Sequence, residues 1–405
     1  MKIAYITAHT PWGRGETFIL EEMLALRDIG GEIIVIPRDP RGGIFHRDSR
    51  VLLGEAVNLP LINYSMFLVF MTSLLLKPII WRLFYLILRS SRTWRIFMKN
   101  IVVLPKAVYI ANILKKIDVV HIHAHWGSTT ATLAWIIAEL NKTPWSFTLH
   151  SWDIVENNML KVKSESARFI RCISEFGRRR FIKIVGEKIE KKAKVIHMGT
   201  KVSRLSLISR KKDKIFKVIV PANLVEIKGH RYLIEACKIL VKRNTNNIRF
   251  YFYGEGPLRS QLEDIIIKKQ LTKHIKILKP IPHERLMHIY EKGEADLVVL
   301  PSITTERGEC EGIPVSLIEA MSYGIPVIST KTGGIPELIE DGSGVMVEEK
   351  NPYAIADAIE KLITDKEFYT RISIAGRKKI EREFDIRKNA QKLLKLILSF
   401  EERPQ

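Results

Sequence analysis

Residues 309–334 read ECEGIPVSLIEAMSYGIPVISTKTGG, and their spacing decides the fold. Pro314 suits the first turn of a helix, where its missing N–H would have no partner anyway. Leu317, Ile318 and Met321 recur at the spacing of one buried helical face. Gly324 followed by Pro326 stops that helix, and the β-branched run after it predicts a strand at 326–329. A short helix handing over to an apolar strand is a unit of a parallel sheet. Glu311 then falls in the loop before the helix and Glu319 on its body, with seven residues between them. A helix start presents unpaired N–H groups and the positive end of the dipole, a natural seat for a diphosphate. A carboxylate about a turn further in can accept both hydroxyls of a ribose. By spacing alone, the less favoured alternative is a glutamate in an exposed helix beside a strand.

Working outward, short β-branched runs alternate with helical stretches along almost the whole chain, which predicts parallel sheets covered by helices. In the first half the predicted strands are 2–7, 33–37, 119–124, 146–150, 169–174 and 195–197. In the second half they are 217–221, 249–253, 275–278, 297–301, 326–329 and 345–347. Residues 201–214 are polar, basic and without apolar periodicity, so they read as the linker. The expected class is α/β, with doubly wound domains at 1–205 and 206–384 facing across a cleft. Residues 385–405 follow, with Ala390, Leu393, Leu394, Leu396 and Ile397 at helical spacing, as a helix able to pack back on the first domain. Ligands of such folds bind beyond the carboxyl ends of the strands.

A composition of 46% hydrophobic and 27% charged residues over 405 positions excludes disordered and collagen-like classes and predicts more than one core. The formal charge of +21 favours anionic partners: nucleic acid, anionic lipid or phosphorylated substrates. Cys172, Cys237 and Cys310 are scattered, which suits a reducing compartment rather than a disulfide framework. The N-terminal run reads as a first strand, not as a signal peptide.

Residues 66–88 break the alternation with MFLVFMTSLLLKPIIWRLFYLIL, interrupted only by Lys77, Pro78 and Arg82. Arg89, Arg92, Arg95 and Lys99 follow, with Trp81 and Trp94 close by. Basic residues interleaved with large apolar ones predict a helical insert at about 62–100 lying at a membrane interface. The alternatives are a helical insert packed on the first sheet and, less favoured, a true span.

Taken in order, Glu311 and Glu319, then Glu319-Ala320-Met321, Gly324-Ile325-Pro326 and Gly333-Gly334-Ile335-Pro336-Glu337 resemble the retaining GT-B glycosyltransferases of family four. The resemblance implies that Glu319 binds the nucleotide ribose and Glu311 lies beside the donor sugar. It also implies that backbone amides near Gly312–Ser316, a stretch that includes Ile313, Pro314 and Val315, face sugar and phosphates. Lys228, in the turn 224–230, matches the family lysine that pairs with the donor diphosphate. Asn223 stands five residues earlier, where the family usually has an arginine. Gly254 opens the Gly-x-Gly-Pro turn that helps shape the nucleotide pocket, although turn chemistry alone explains its glycines. Residues 275–282 would read the base.

Within family four, Glu16-Thr17-Phe18, His123-Ala124-His125-Trp126-Gly127, residues 148–154 and Ser174-Glu175-Phe176 resemble the bacterial exopolysaccharide and colanic-acid-type branch. Gly13 and Gly15 let the loop after the first strand approach a ligand, with Gly15 standing where that branch usually has serine. The resemblance places Gly13, Gly15, His125, His150 and Asp153 at the acceptor, Gly15 also at the donor, and Glu311, His150 and Lys228 at the chemistry. Asp153 could orient acceptor hydroxyls or cap the next helix. His123 and His125 are expected on opposite faces of their strand, and no metal site is expected.

The implied activity is a metal-independent hexosyl transfer with retention from a nucleotide sugar, UDP- or GDP-linked, with no cofactor. The implied acceptor is a cell-surface glycan carried on a polyprenyl diphosphate, and the enzyme would be cytoplasmic and peripheral at an anionic membrane. Two rivals stand beside it: a catalytically silent GT-B partner subunit, motivated by Asn223, and a basic nucleic-acid-binding protein. The second lacks a recognisable nucleic-acid module.

Overall fold

A computed structural model describes residues 2–10, 17–41, 47–202 and 215–399. The chain forms two compact units, Met1–His197 with Arg387–Gln405, and Met198–Ile386.

The first unit is built on six parallel strands: β1 (Lys2–Thr7), β2 (Glu32–Pro37), β3 (Val119–His125), β4 (Trp145–Leu149), β5 (Phe169–Cys172) and β6 (Ala193–Val195). Their order is β2-β1-β3-β4-β5-β6, so chain direction across the sheet reverses beside β1. Strands buried on both faces read as continuous apolar runs. Ile3, Ala4, Tyr5 and Ile6 of β1 are accordingly all buried, and the core continues through Ile36, Ala124, Trp135 and Phe147.

The second unit has β7 (Phe216–Pro221), β8 (Ile248–Tyr253), β9 (Ile275–Leu278), β10 (Leu297–Leu300), β11 (Val327–Thr330) and β12 (Val345–Val347). The order β12-β11-β10-β7-β8-β9 makes β7 and β10 neighbours, although about seventy-five residues part them in sequence. Loops that leave the carboxyl ends of β7 and β10 therefore diverge around a crevice, the usual ligand position in open α/β sheets. Ten of the twelve expected strands are matched to within one residue at each end. Strand β5 stops two residues short of its expected end, and β6 ends at Val195, where the expected strand began.

The insert is four helices rather than one long one: Tyr64–Leu76, Pro78–Ser90, Trp94–Val102 and Leu104–Leu114. Asn63 and Thr93 cap the first and third by accepting the N–H of Met66 at 2.7 Å and of Ile96 at 3.2 Å. Pro78 opens the second, and the chain bends by 103° there. Leu83, Ile87, Phe97 and Leu104 join the core of the first sheet, so the insert does pack internally. Residues Trp94–Leu114 are apolar and long enough to cross a membrane, but 56% of that surface is buried in the unit. The last helix, Ile386–Leu398, buries Ala390, Leu393 and Ile397, and its Asn389 donates to the His197 carbonyl at 3.2 Å.

One expectation fails on elementary geometry. His123 and His125 are two residues apart on a strand and so share a face. Both rings lie against Tyr5, with centroids 5.1 and 6.1 Å away. His121 joins the same row, and it and His123 both contact Ser146 Oγ at 2.8 Å.

Candidate active site

In the second unit, β7 leads through Leu224 into a short turn, Glu226–Lys228, closed by Gly229 at φ +65°. A Cβ at Gly229 would overlap the Pro301 carbonyl, so this turn presses on the loop after β10. The two loops are also tied by Ile303 N–H donating to the Ile227 carbonyl at 2.9 Å. Lys228 is thereby aimed at the second loop, and its Nζ lies 2.5 Å from Glu311 Oε1, both side chains being largely buried. The contact is one of charge: the ammonium misses hydrogen-bond alignment, and Oε1 has no hydrogen-bond partner among the described residues.

The backbone around Glu311 is held from behind. Gly334 N–H donates to the Glu311 carbonyl at 3.2 Å, and Gly333, at φ +56°, packs where a Cβ would overlap that same carbonyl. The glycine pair of the motif thus shapes the Glu311 loop through packing. Gly312, Ile313 and Pro314 lead on to helix Val315–Ser322, which carries no side-chain cap at Pro314. Leu317 and Ile318 turn their N–H groups back to the Pro314 carbonyl, while Val315 and Ser316 open the helix ahead of them. Glu319, 8% exposed, follows on the helix body, its Oε1 2.9 Å from His283 Nε2. A charge-paired lysine, an uncapped helix start and a carboxylate about one turn on can together receive a nucleoside diphosphate.

The remaining expected donor residues are less closely involved. Asn223 is exposed in the loop after β7. Gly254 lies where a Cβ would overlap the Ala222 carbonyl, so the close passage of two loops accounts for it. Two residues went unread in the sequence. His283 is one, and nothing in the sequence ties it to Glu319. His230 is the other: it is buried directly after Gly229, with both ring nitrogens lacking a hydrogen-bond partner among the described residues. Burial, and then the neighbouring Lys228, push its pKa down to about 4. Its position one step beyond the lysine turn was the available signal.

In the first unit, Gly13 and Gly15 lie outside the described residues. His125 and His150 do come together, Nε2 to Nε2 at 2.8 Å, and Trp126 stacks on His150 at 4.2 Å. Behind them runs a buried chain: Tyr5 Oη donates to Glu22 Oε1 at 2.6 Å and lies 2.9 Å from His125 Nδ1. Since the tyrosine proton goes to Glu22, its oxygen accepts from His125 Nδ1–H. Glu22 also receives Arg171 Nη1 at 2.5 Å. Burial opposes ionisation of Glu22, but Arg171, the nearby His125 and the hydrogen bond from Tyr5 outweigh it and hold its carboxyl well below the usual range. His150 is kept neutral, its pKa held well down by burial and by His125 and Arg171.

Asp153 caps its own helix, Ser151–Glu156, accepting the His150 N–H at 2.9 Å, and burial raises its pKa to about 7. It also lines a cavity of about 810 Å³ at the carboxyl ends of β1 and β3, with Trp126 and Trp152. Two buried lysines hold the walls. Lys106 Nζ donates to the carbonyls of Pro37, Arg38 and Leu59 at 2.6 to 2.8 Å. Lys163 Nζ donates to those of Gly127 and Ser128 at 3.0 and 2.8 Å. Among the described residues no cluster of three or more His, Cys, Asp or Glu is placed to hold a metal ion.

Known proteins resemble this chain in sequence and in fold. The amylovoran biosynthesis glycosyltransferase AmsK of Erwinia amylovora is 28% identical over 95% of this chain and 96% of its own length. The colanic acid biosynthesis glycosyltransferase WcaL of Escherichia coli is 36% identical over 48% of each chain. HepE of Anabaena, solved with UDP, superposes with a TM-score of 0.73 at 17% identity, covering 99% of this chain and all of that one. That likeness shows the fold, and the fold is GT-B. Residues 204–379 match the family described as glycosyl transferases group 1.

Proposed function

We propose that the protein transfers a hexose from a nucleotide sugar to a lipid-linked saccharide, with retention, in the assembly of an exopolysaccharide. The observation that carries this is the Lys228–Glu311 pair at the mouth of an uncapped helix that also bears Glu319. Glu319 accepts the ribose hydroxyls, in exchange for its contact with His283. Lys228 and the amides of Val315 and Ser316 take the diphosphate. Glu311, turned toward the anomeric carbon, contacts the donor sugar. As the glycosidic C–O bond breaks, Lys228 and the helix start stabilise the charge growing on the leaving phosphate oxygen. That oxygen takes the acceptor hydroxyl proton while the new C–O bond forms on the same face. No metal or cofactor enters this scheme. His150, neutral and braced by His125, contributes to holding the acceptor with Asp153. The names of AmsK and WcaL support an exopolysaccharide product, and the UDP in HepE supports a nucleotide-sugar donor.

The insert and the basic surface support a cytoplasmic enzyme resting on an anionic membrane. Thermal-shift measurements against a panel of UDP- and GDP-sugars test the donor assignment, since a ligand that binds only the folded state raises the melting temperature. A second reading, a silent partner subunit, draws on the exposed Asn223 where an arginine is usual in the resemblance. It would be favoured if no nucleotide sugar shifted the transition and Glu319→Ala left function in cells unchanged.

A further inference from the structure

Five elements of the first unit meet in one polar chain. Helix Thr17–Asp28 brings Glu22, β1 brings Tyr5, β3 His125 and β5 Arg171, while His150 directly follows β4. Tyr5, Glu22, His125 and Arg171 are wholly enclosed, and His150 is half-buried. The chain therefore runs from an enclosed ion pair to a histidine with some surface, at the carboxyl ends of the strands where ligands of such sheets bind. Phe18 flanks both imidazoles, with ring centroids 5.8 Å from His125 and 5.6 Å from His150. Trp126, which covers His150, is held at φ +103°. A positive φ strains a residue of this size, and strain of that kind gathers where a site needs one fixed arrangement.

The order of protons along this chain is fixed from its charged end. Arg171 gives Nη1 to Glu22 and its other nitrogens to the carbonyls of Ile196 and His197, at 2.9 and 3.0 Å, so it cannot turn away. The Glu22 carboxylate can only accept, so the Tyr5 hydroxyl donates to it and accepts from His125 Nδ1–H. Glu22 and Arg171 cancel in charge, and a further buried cation would lack a carboxylate of its own, so His125 is a neutral ring with one proton. With that proton on Nδ1, its Nε2 is a lone pair. His150 Nε2, 2.8 Å away, then carries the hydrogen of the bond between them, and His150 Nδ1 is left as a lone pair. The start of helix Ser151–Glu156 asks for the same tautomer. There His150 is the cap residue of a capping box with Asp153, and a cap side chain accepts a first-turn N–H. The reverse order would set Nδ1–H against the Asp153 N–H.

We infer that Glu22, acting through Tyr5 and His125, fixes which nitrogen of His150 carries the proton and makes His150 a hydrogen-bond acceptor with no proton to give. Glu22, Tyr5 and His125 are positioning residues in this account. Its use, though not the tautomer itself, rests on the glycosyltransferase reading. A histidine so ordered can receive a saccharide hydroxyl, but it cannot donate to a glycosidic or phosphate oxygen. The choice of a hydroxyl, and the exclusion of His150 as a general acid, are thus set by a carboxylate three hydrogen bonds away.

The test is nitrogen NMR on the full chain with isotope-labelled histidine at neutral pH, the His150 signals being identified by their absence from His150→Gln. In the wild type a coupling across the hydrogen bond should link His150 Nε2 to His125 Nε2, with the proton attached to His150. A proton attached to His125 Nε2 overturns the proposal without any variant. In Glu22→Gln the amide carbonyl faces Arg171 and the amide N–H can donate to Tyr5 Oη, so the opposite order becomes possible and a second tautomer of His150 should appear. Tyr5→Phe is the packing control. There His125 Nδ1 lies 3.6 Å from Glu22 Oε1, near enough for the carboxylate to take its proton after a small shift, so the single tautomer should persist. Circular dichroism confirms that each chain is folded. One unchanged tautomer in Glu22→Gln, or the same mixture in both variants, overturns the proposal. Thermal shift of the wild-type chain with UDP- and GDP-sugars reads the enzyme assignment separately: no shift would sink that assignment and leave the tautomer result standing.

Discussion

Replacing Glu22 by Gln removes the negative charge that a wholly buried guanidinium, Arg171, approaches at 2.5 Å, and leaves one carbonyl oxygen where Arg171 and the Tyr5 hydroxyl, at 2.6 Å, each had their own. Breaking a buried pair by neutralising one partner typically costs ~3–5 kcal/mol, because the remaining charge stays buried. For a unit of this size each kcal/mol lowers the melting temperature by roughly 2–4 °C, so Glu22→Gln should lose about 10 °C. Circular dichroism melts give the value directly, and urea titrations check that the loss is one of stability. The pH dependence has a definite sign. The Glu22 carboxyl is held below its ordinary value of 4.5, so its stabilisation is complete above that pH and disappears as pH falls through the lowered value. The gap between wild type and variant should therefore be constant near neutrality and close in acid. Substituting Glu22→Leu together with Arg171→Met should recover a large part of the loss. A Glu22→Gln melting point within 2 °C of wild type, or a gap that widens in acid, refutes the reasoning.

Three further outcomes follow from the sites. Gly333→Ala forces a Cβ onto the Glu311 carbonyl at a positive φ, so donor binding should fall at least about tenfold, read by calorimetry, while the far-ultraviolet spectrum is unchanged. Glu311→Gln removes a negative charge beside Lys228, so free nucleoside diphosphate should bind about threefold to tenfold tighter while sugar transfer slows. Asp153 has its pKa raised to about 7 from an ordinary 3.8, so its contribution to stability falls as pH rises between those values. Asp153→Asn should flatten that part of the melting-temperature profile while its side-chain oxygen still accepts the His150 N–H, so that Asp153→Ala, not Asp153→Asn, removes a further ~0.5–2 kcal/mol of helix capping.

The strands were legible because parallel strands buried on both faces must be apolar throughout, and helices between them must carry punctuation such as Pro314, Gly324 and Gly229. Lys228 and Glu311 are legible only through the family resemblance, since Lys228 by itself reads as a solvated turn lysine; the structure brings the two side chains together. What could not be read was pairing across the sheet. Nothing local in PheIleArgCys at 169–172 announces that Arg171 meets Glu22, which is 149 positions away. Lys106 and Lys163 likewise read as surface lysines until their helices are seen lying over loop carbonyls. His123 and His125, expected on opposite faces, share one because side chains two apart on a strand point the same way. The sequence leaves Asp153 two roles, acceptor contact or helix cap, and the structure shows the capping contact with the His150 N–H.

If Lys228 and Glu319 hold a nucleotide-sugar donor, as proposed, calorimetric titration of the intact chain with UDP- and GDP-sugars will detect it. One of these should bind at a single site, with affinity reduced about thirtyfold or more in Glu319→Ala and by about tenfold in Lys228→Ala, as expected for lost charge-assisted hydrogen bonds. Binding that both variants retain at full strength would contradict it.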